Sequence, residues 1–379
     1  MTALDVVIMA AGKGTRMKSS MPKVLHPLAG KPLVQHVIDT AHALHTRHTI
    51  LITGHGAEVV EPLLQKAYPQ KALQFAKQMP QLGTGHAVQQ ALPLLDDDGV
   101  VVVLSGDVPL TQADTLQALI KACDGKNLAL LTIDFEDPTG YGRIVRGFDH
   151  QVHDIIEHKD ANELQLEIKE IYSGIMAVPA KWLKKWLPQL KNDNAQKEFY
   201  LTDVVRMAVS DHVKVVAHKI TDAAQVAGIN SPLQLAELER IYQTRQAHAL
   251  LAQGVRIIDP ARIDLRGTLT CQEDVLIDIN CIFEGQVQLG VGVHIGAHCV
   301  IANCVIEDGA VILPFTHIDG ELQGITVGKG ARVGPYARLR PGAQLGSDVH
   351  VGNFVEIKNS TLADGAKANH LAYLGDATV

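Results

Sequence analysis

No stretch of this chain is apolar for anything near the ~18 residues that a membrane-spanning helix needs. The apolar run at 6–11 is only a strand long, and Gly12 and Lys13 interrupt it at once. It therefore reads as a strand and not as a targeting segment, and a cytoplasmic protein is expected. Basic charge is also short. Lys and Arg number 34 against 41 Asp and Glu, a net charge of -7, which argues against a nucleic-acid-binding or anionic-membrane surface. A phosphate-handling protein can still be acidic overall, because only its pocket needs positive charge. The five cysteines (Cys123, Cys271, Cys281, Cys299 and Cys304) contain no CxxC pair. Buried free thiols are expected of them, in preference to zinc ligands or disulfides.

What is present falls into two periodicities. A chain of 379 residues is too long for one ordinary core, so two domains are expected. In the N-terminal part, β-rich runs at 6–9, 50–53, 73–76 and 100–104 alternate with helical stretches at 33–48, 57–68 and 85–95. That order predicts an α/β, Rossmann-like, mostly parallel sheet with right-handed crossovers and helices on both faces. Ligands of such sheets bind beyond the carboxyl ends of the strands, where the loops after Met9 and Leu104 stand. A Leu-, Ala-, Glu- and Gln-rich stretch at 233–251 predicts one long helix stopped by Gly254.

Beyond Gly254 an aliphatic or aromatic residue recurs every six positions: Ile277, Phe283, Leu289, Ile295 and Ile301. After a phase break the series resumes at Val327, Val333, Leu339, Leu345, Val351 and Ile357. Glycines follow many of these positions. A helix would need spacings of three and four, so the pattern predicts a triangular solenoid of short strands, a left-handed parallel β-helix. The expected boundaries are a first domain at 1–231, a linker helix at 232–254 and a β-helix domain at 255–379. By analogy with other such prisms, a homotrimer is expected.

The most informative segment is Ala10-Ala11-Gly12-Lys13-Gly14-Thr15-Arg16-Met17, followed by Pro22-Lys23. It is not a dinucleotide fingerprint, because Met17 stands where a third glycine is needed. It is not a Walker A loop either, which needs four residues between its glycines. Backbone amides after a buried strand can turn toward a phosphate chain, and the cations Lys13, Arg16 and Lys23 favour a triphosphate.

These residues closely resemble the signature of sugar-nucleotide pyrophosphorylases. In order along the chain come Gln81-Leu82-Gly83-Thr84-Gly85-His86-Ala87, Gly106-Asp107-Val108-Pro109, Pro138-Thr139-Gly140-Tyr141-Gly142-Arg143-Ile144 and Glu157-His158-Lys159-Asp160-Ala161. With the hexapeptide repeats, they resemble the bifunctional N-acetylglucosamine-1-phosphate uridylyltransferase/glucosamine-1-phosphate acetyltransferase family of cell-wall precursor synthesis, from residue 5 onward. The resemblance implies that a sugar 1-phosphate attacks the α-phosphorus of UTP and pyrophosphate leaves. The nucleophile, with a second phosphate pKa near ~6, is already anionic at neutral pH and needs no general base. Catalysis reduces to alignment and charge neutralisation.

The same resemblance implies the roles. Ala10, Ala11 and Gly12 would contact the nucleotide, and Arg16 would hold the leaving phosphates. Lys23 would sit against the reacting phosphate oxygens. Gln78, Gly83 and Thr84 resemble the uracil-reading segment, and Ser105 and Gly106 flank Asp107 on the substrate side. Asp107, with Asn230, would bind Mg²⁺, a hard ion suited to one carboxylate, one amide oxygen, phosphates and water. An isolated Asp after a strand is more commonly a cap or turn, and the surrounding motifs reverse that preference. Gly142 and Glu157 resemble sugar contacts. Tyr172 stands where the family has Asn, so that contact is absent or replaced.

In the β-helix, Arg340 and Lys358 match the acceptor site for a sugar phosphate, Tyr373 would orient the sugar, and His370 would take a proton from the 2-amino group as it attacks acetyl-CoA. The family continues for several more coils past the repeat containing Val379, and those coils supply most of the acetyl-CoA pocket. The expectation for these 379 residues is an acceptor half-site for glucosamine 1-phosphate with little acetyltransferase activity. The alternatives are a nucleotidyltransferase for another sugar phosphate and a non-catalytic, trimeric sugar-nucleotide scaffold. His42, His45 and His48 read as a solvated face of one helix, and Asp96-Asp97-Asp98 as a turn. His294, His298 and His317 suggest a β-helix zinc site, but no further ligand completes it.

Overall fold

Alternating burial decides the first half of the chain. Val6 and Ile8 belong to one apolar cluster and Val7 to another, and the same alternation separates Val102 and Leu104 from Val101 and Val103. Strands buried on both faces need helices on both sides. The computed structural model, which describes residues 3–70 and 73–379, has that arrangement. Its elements are β1 (Leu4–Met9), α1 (Leu33–Ala43), β2 (His48–Thr53), α2 (Ala57–Ala67), β3 (Leu73–Lys77), α3 (Thr84–Gln89), β4 (Val100–Ser105), α4 (Ala113–Cys123) and β5 (Leu128–Asp134). There follow a hairpin of β6 (Arg143–Arg146) and β7 (Val152–Ile156), then β8 (Glu170–Pro179), α5 (Ala180–Trp186), α6 (Asp203–Ser210), β9 (Val215–Lys219) and α7 (Pro232–Ala252).

The sheet runs β9-β5-β8-β4-β1-β2-β3, with the β6–β7 hairpin attached to β8. It is mostly parallel, as expected; β8 alone along the main path runs antiparallel, to both β4 and β5. The chain winds outward from β1 to β2 and β3, then returns to β4 on the other side. That reversal leaves a crevice at the carboxyl ends of β1 and β4.

Two local expectations change. Helix α1 stops at Ala43, not at 48, because His45 takes a left-handed φ of 56° and its amide bonds back to His42. His48 then opens β2, so the three histidines share no helix face. The imidazole of His42 packs edge-on against Tyr68, with ring centroids 5.4 Å apart. The helix expected at 85–95 is only α3 plus one 3₁₀ turn at Leu92–Leu94, since Pro93 cannot continue the hydrogen-bond ladder. The aspartates at 96–98 act as a turn that gathers cations: Asp96 and Asp98 meet Arg47, and Asp97 meets Lys184.

The chain folds as two compact units, one reaching to Pro27 and running again over Pro32–Leu235, the other comprising Leu28–Lys31 and Ala236–Val379. The second unit is a parallel β-helix. Leu276 pairs with His294, His294 with Val311 and Val311 with Arg332, so each coil stacks on the one before. The six-residue series points inward: Ile277, Ile295, Ile301, Val327, Val333, Leu339, Val351 and Ile357 are all fully buried. The phase break corresponds to a protruding turn at Glu321–Gly324, where Leu322 is wholly exposed. At one corner, Asn280, His298, Phe315, Tyr336, Phe354 and Leu371 all take positive φ. Four of them form a ring stack, His298–Phe315–Tyr336–Phe354, with centroids 4.8, 4.9 and 5.4 Å apart. The cysteines are free thiols, and burial raises their pKa values, to about 11 for Cys281 and about 12 for Cys299.

Candidate active site

The crevice between β1 and β4 is closed at its base by one hydrogen bond, from the Gly106 amide to the Met9 carbonyl (2.9 Å). The loop after β1 therefore lies directly against the loop after β4. Ala10 and Ala11 are nearly buried, whereas nothing lies within 4 Å of a Cβ placed on Gly12. Gly14 takes a left-handed φ of 60°, and a side chain there would meet Lys23 Cβ at 2.6 Å. Only glycine lets the loop fold down on the stem of Lys23. Lys23 opens a 3₁₀ turn (Lys23–Leu25) after Pro22, and Arg16 stands exposed on the turn Thr15–Met17.

Three residues far apart in sequence meet here. Lys23 Nζ donates to Asp107 Oδ2 and, at 3.1 Å, to Asn230 Oδ1. The other oxygen of Asp107 accepts from the Ser105 hydroxyl at 2.6 Å. Asn230 is brought in by a backbone bond from Ile229 to the Asp107 carbonyl and is braced by Gln234, whose side chain accepts from the Asn230 amide. Lys23 and Asp107 are each less than one-sixth exposed, so water screens the pair weakly. Lys23 and Asp107, with Ala10, Ala11, Gly12, Gln78, Gly83, Thr84 and Ser105, line a cavity of about 280 Å³.

The opposite wall is a clamped loop. Gln78 is buried and donates to the Gly83 carbonyl at 2.9 Å. Backbone bonds from Phe199 to Leu82 and from Gly85 to Phe199 hold both sides of Gly83, whose φ is 109°. A Cβ on Gly83 would strike the Phe199 carbonyl at 2.7 Å. Thr84 accepts from the Leu201 amide at 3.1 Å. Gln81 donates to the Ala11 carbonyl and so joins this wall to the first loop.

Gly142 and Glu157 lie together on the β6–β7 hairpin. A Cβ on Gly142 would stand 3.7 Å from both carboxylate oxygens of Glu157. Glu157 accepts from the Thr202 hydroxyl at 2.9 Å, and burial raises its pKa above the usual carboxylate range. Tyr172 is in register with this pair, its amide bonding to the Gly142 carbonyl at 2.9 Å. Its side chain, however, belongs to the core and is only 7 % exposed, with a buried hydroxyl that has no hydrogen-bond partner among the described residues. The substrate-side position of the family's Asn is thus occupied by a side chain turned into the core, so the Asn contact expected to be absent or replaced is not replaced by the Tyr172 ring.

A cleft of about 600 Å³ also contains Glu157, with Asp160, Trp186, Tyr200 and Arg206. It is larger than the cavity beside Lys23 and has its own ion pair, Lys185 with Asp211, but no residue of the loops after β1 and β4 lines it. Position at the carboxyl ends of the central strands, not volume, locates the reacting centre. Thr202, Gln81 and Glu198, which line or brace the site, were not singled out from the sequence. Gln81 could have been, since it opens the Gln81-Leu82-Gly83-Thr84 motif; Thr202 lies in a run without any pattern.

In the second unit Arg340 follows the strand Arg338–Leu339 and its amide bonds to Ile357, which sets it level with Lys358 one coil on. Arg340 also donates to Glu356 at 2.9 Å. Tyr373 pairs with Glu356 in the next coil, while His370 pairs with Asn353 on a neighbouring face, across the Leu371 corner. His370 and Tyr373 are exposed.

The donor set fits a divalent cation. Asp107 Oδ2 and Asn230 Oδ1 are hard oxygens that converge on one point, and the Lys23 ammonium already sits at that point. A place that accepts an ammonium between a carboxylate and an amide oxygen suits a positive ion, and two protein oxygens leave room for phosphates and water.

A winding α/β sheet with phosphate-type loops at its switch point, followed by a hexapeptide β-helix, defines a nucleotidyltransferase joined to a transferase-type solenoid. Residues 6–256 match the MobA-like NTP transferase domain, and residues 324–359 match the bacterial transferase hexapeptide (six repeats). The chain is 64% identical over 388 residues to the bifunctional protein GlmU of Paracidovorax citrulli, covering 100% of this chain and 82% of that protein. It is 66% identical over 382 residues to the GlmU of Polaromonas naphthalenivorans, covering 99% and 81%. The chain belongs to the bifunctional GlmU family. In fold it is similar to the crystal structure of a UDP-glucose pyrophosphorylase complexed with UDP-glucose, with a TM-score of 0.53 and 17% identity over 64% of this chain and 99% of that one.

Proposed function

We propose that the cleft of the first unit transfers a uridylyl group from UTP to N-acetylglucosamine 1-phosphate, giving UDP-N-acetylglucosamine and pyrophosphate for cell-wall precursors, with residues 1–231 carrying the chemistry. The observation that carries this reading is the Lys23–Asp107–Asn230 constellation beside glycine-rich loops at the switch point. The anionic sugar phosphate needs no base, so the chain's work is to align it and neutralise charge. The amides of the loop after β1 and the Arg16 guanidinium hold the β- and γ-phosphates that leave. The Lys23 ammonium faces the α-phosphate oxygens, where charge grows as the new bond forms. Gln78 and the Gly83–Thr84 backbone read the base, and Glu157, with Gly142, faces the sugar. Mg²⁺, held by Asp107 and Asn230, would add Lewis-acid stabilisation of the phosphate charge.

In the β-helix, Arg340, Lys358, His370 and Tyr373 form the acceptor half-site for glucosamine 1-phosphate of the family's second activity, acetyl transfer from acetyl-CoA, and this is the unit through which the chain forms a homotrimer. The test of the main reading is pyrophosphate release from UTP and Mg²⁺ with different sugar phosphates. Strong preference for N-acetylglucosamine 1-phosphate over glucose 1-phosphate is expected. A folded protein that binds UTP but releases pyrophosphate with neither would overturn it.

A further inference from the structure

The two side-chain oxygens assigned above to a cation are already engaged. Asp107 Oδ2 and Asn230 Oδ1 both accept from Lys23, and Asp107 Oδ1 accepts from Ser105. The Lys23 stem is pinned near its Cβ by the Gly14 loop, so the ammonium can leave only by rotating its outer torsions. The pair is largely removed from solvent, which makes separating it costly unless another anion takes the ammonium.

Resting on the proposed role of Asp107 and Asn230, we propose that Lys23 is the internal counter-ion of the metal site: it plugs the site in the free protein and vacates it when a nucleoside triphosphate arrives. The phosphate chain offers Lys23 a stronger set of partners than one carboxylate and one amide. Its departure frees both oxygens, and the phosphates supply further ligands to the incoming cation. One side chain thus serves two sites in turn. The consequence is ordered loading, in which the divalent cation binds weakly alone and strongly with nucleotide. By linkage, the cation and the nucleotide strengthen each other's binding by the same factor. The plug also keeps Asp107 and Asn230 converged while the site is empty, so the ligands are held in place before the metal arrives.

The test is Mn²⁺ binding followed by electron paramagnetic resonance, with and without a non-hydrolysable UTP analogue. It uses wild type, Lys23→Gln, Lys23→Arg and Asp107→Ala, each checked for folding by its melting transition. Without nucleotide, Lys23→Gln should bind Mn²⁺ at least about tenfold more tightly than wild type, because a cation a few ångströms away is gone. Lys23→Arg, which keeps the charge, should stay as weak as wild type. Nucleotide should tighten Mn²⁺ binding much more in wild type than in Lys23→Gln. If Lys23→Gln binds Mn²⁺ no better than wild type while Asp107→Ala weakens binding in the presence of the analogue, the plug is refuted and the metal assignment stands. If Asp107→Ala leaves Mn²⁺ binding with the analogue unchanged, the metal assignment itself fails and the plug fails with it.

Discussion

The two units of this chain bury their apolar residues by opposite rules. In the β-helix one inward residue recurs at nearly fixed intervals, each coil leans on its neighbours, and among the described residues the inner cluster is almost wholly aliphatic. In the nucleotide-binding unit the central strands β1 and β4 are mostly apolar, but their ends break into glycine, lysine and aspartate, and charged groups are drawn partly out of water. Periodicity builds a rigid surface on which groups such as Arg340 and Lys358 are set out in register. Departure from periodicity builds a concave site whose groups face one another. The lesson concerns where an error is felt: a change in the repeat is a stability problem, and a change in the crevice is a rate problem.

The largest expected effect sharpens that division. Asp107→Ala should lower kcat for pyrophosphate release by on the order of 10³-fold, while the melting temperature stays close to wild type. A comparable fall in melting temperature would mean that Asp107 is structural. Next comes Ile301→Ala, which hollows one coil at a fully buried position. It should cost ~2–5 kcal/mol by denaturant titration, with kcat per folded molecule unchanged. A collapse of uridylyl transfer in the folded variant would break the comparison.

The smallest effect concerns pH. Burial of Glu157 raises its folded pKa above the unfolded one, against the opposing bond from Thr202. The folded state then binds the proton more tightly, so stability is lost as pH rises from the ordinary carboxylate range through the raised value. Glu157→Gln has nothing to ionise. It should melt about a few degrees above wild type at neutral pH, and the gain should vanish in acid. The same variant should raise KM for the sugar phosphate, the reverse of its effect on stability. Melting curves at two pH values check the first part, and steady-state kinetics the second.

Much of this was legible in the sequence, and unevenly so. The six-residue series specifies its unit because each inward residue repeats one local decision, and even the phase break marks the Glu321–Gly324 turn. The parallel core of the first sheet followed from apolar runs separated by helical stretches. The end of α1 was not legible, because His45 adopts a left-handed conformation that nothing nearby in the sequence demands. Nor was the β6–β7 hairpin, whose strands are short and half-exposed. At the site, resemblance singled out Lys23, Asp107 and Asn230 separately, but their meeting is a tertiary fact spanning more than two hundred residues. The inward turn of Tyr172 follows from its alternation along β8, not from its place in a motif.

The coil-on-coil register of the β-helix also has a mechanical meaning. Because each coil of about 18 residues is bonded chiefly to the one before it, a pull on Val379 loads one rung at a time, not the whole sheet in shear. Under an optical trap the unit should unzip in a sawtooth, each tooth releasing about 60 Å of contour. The coil with the Glu321–Gly324 turn should give a visibly longer step than its neighbours.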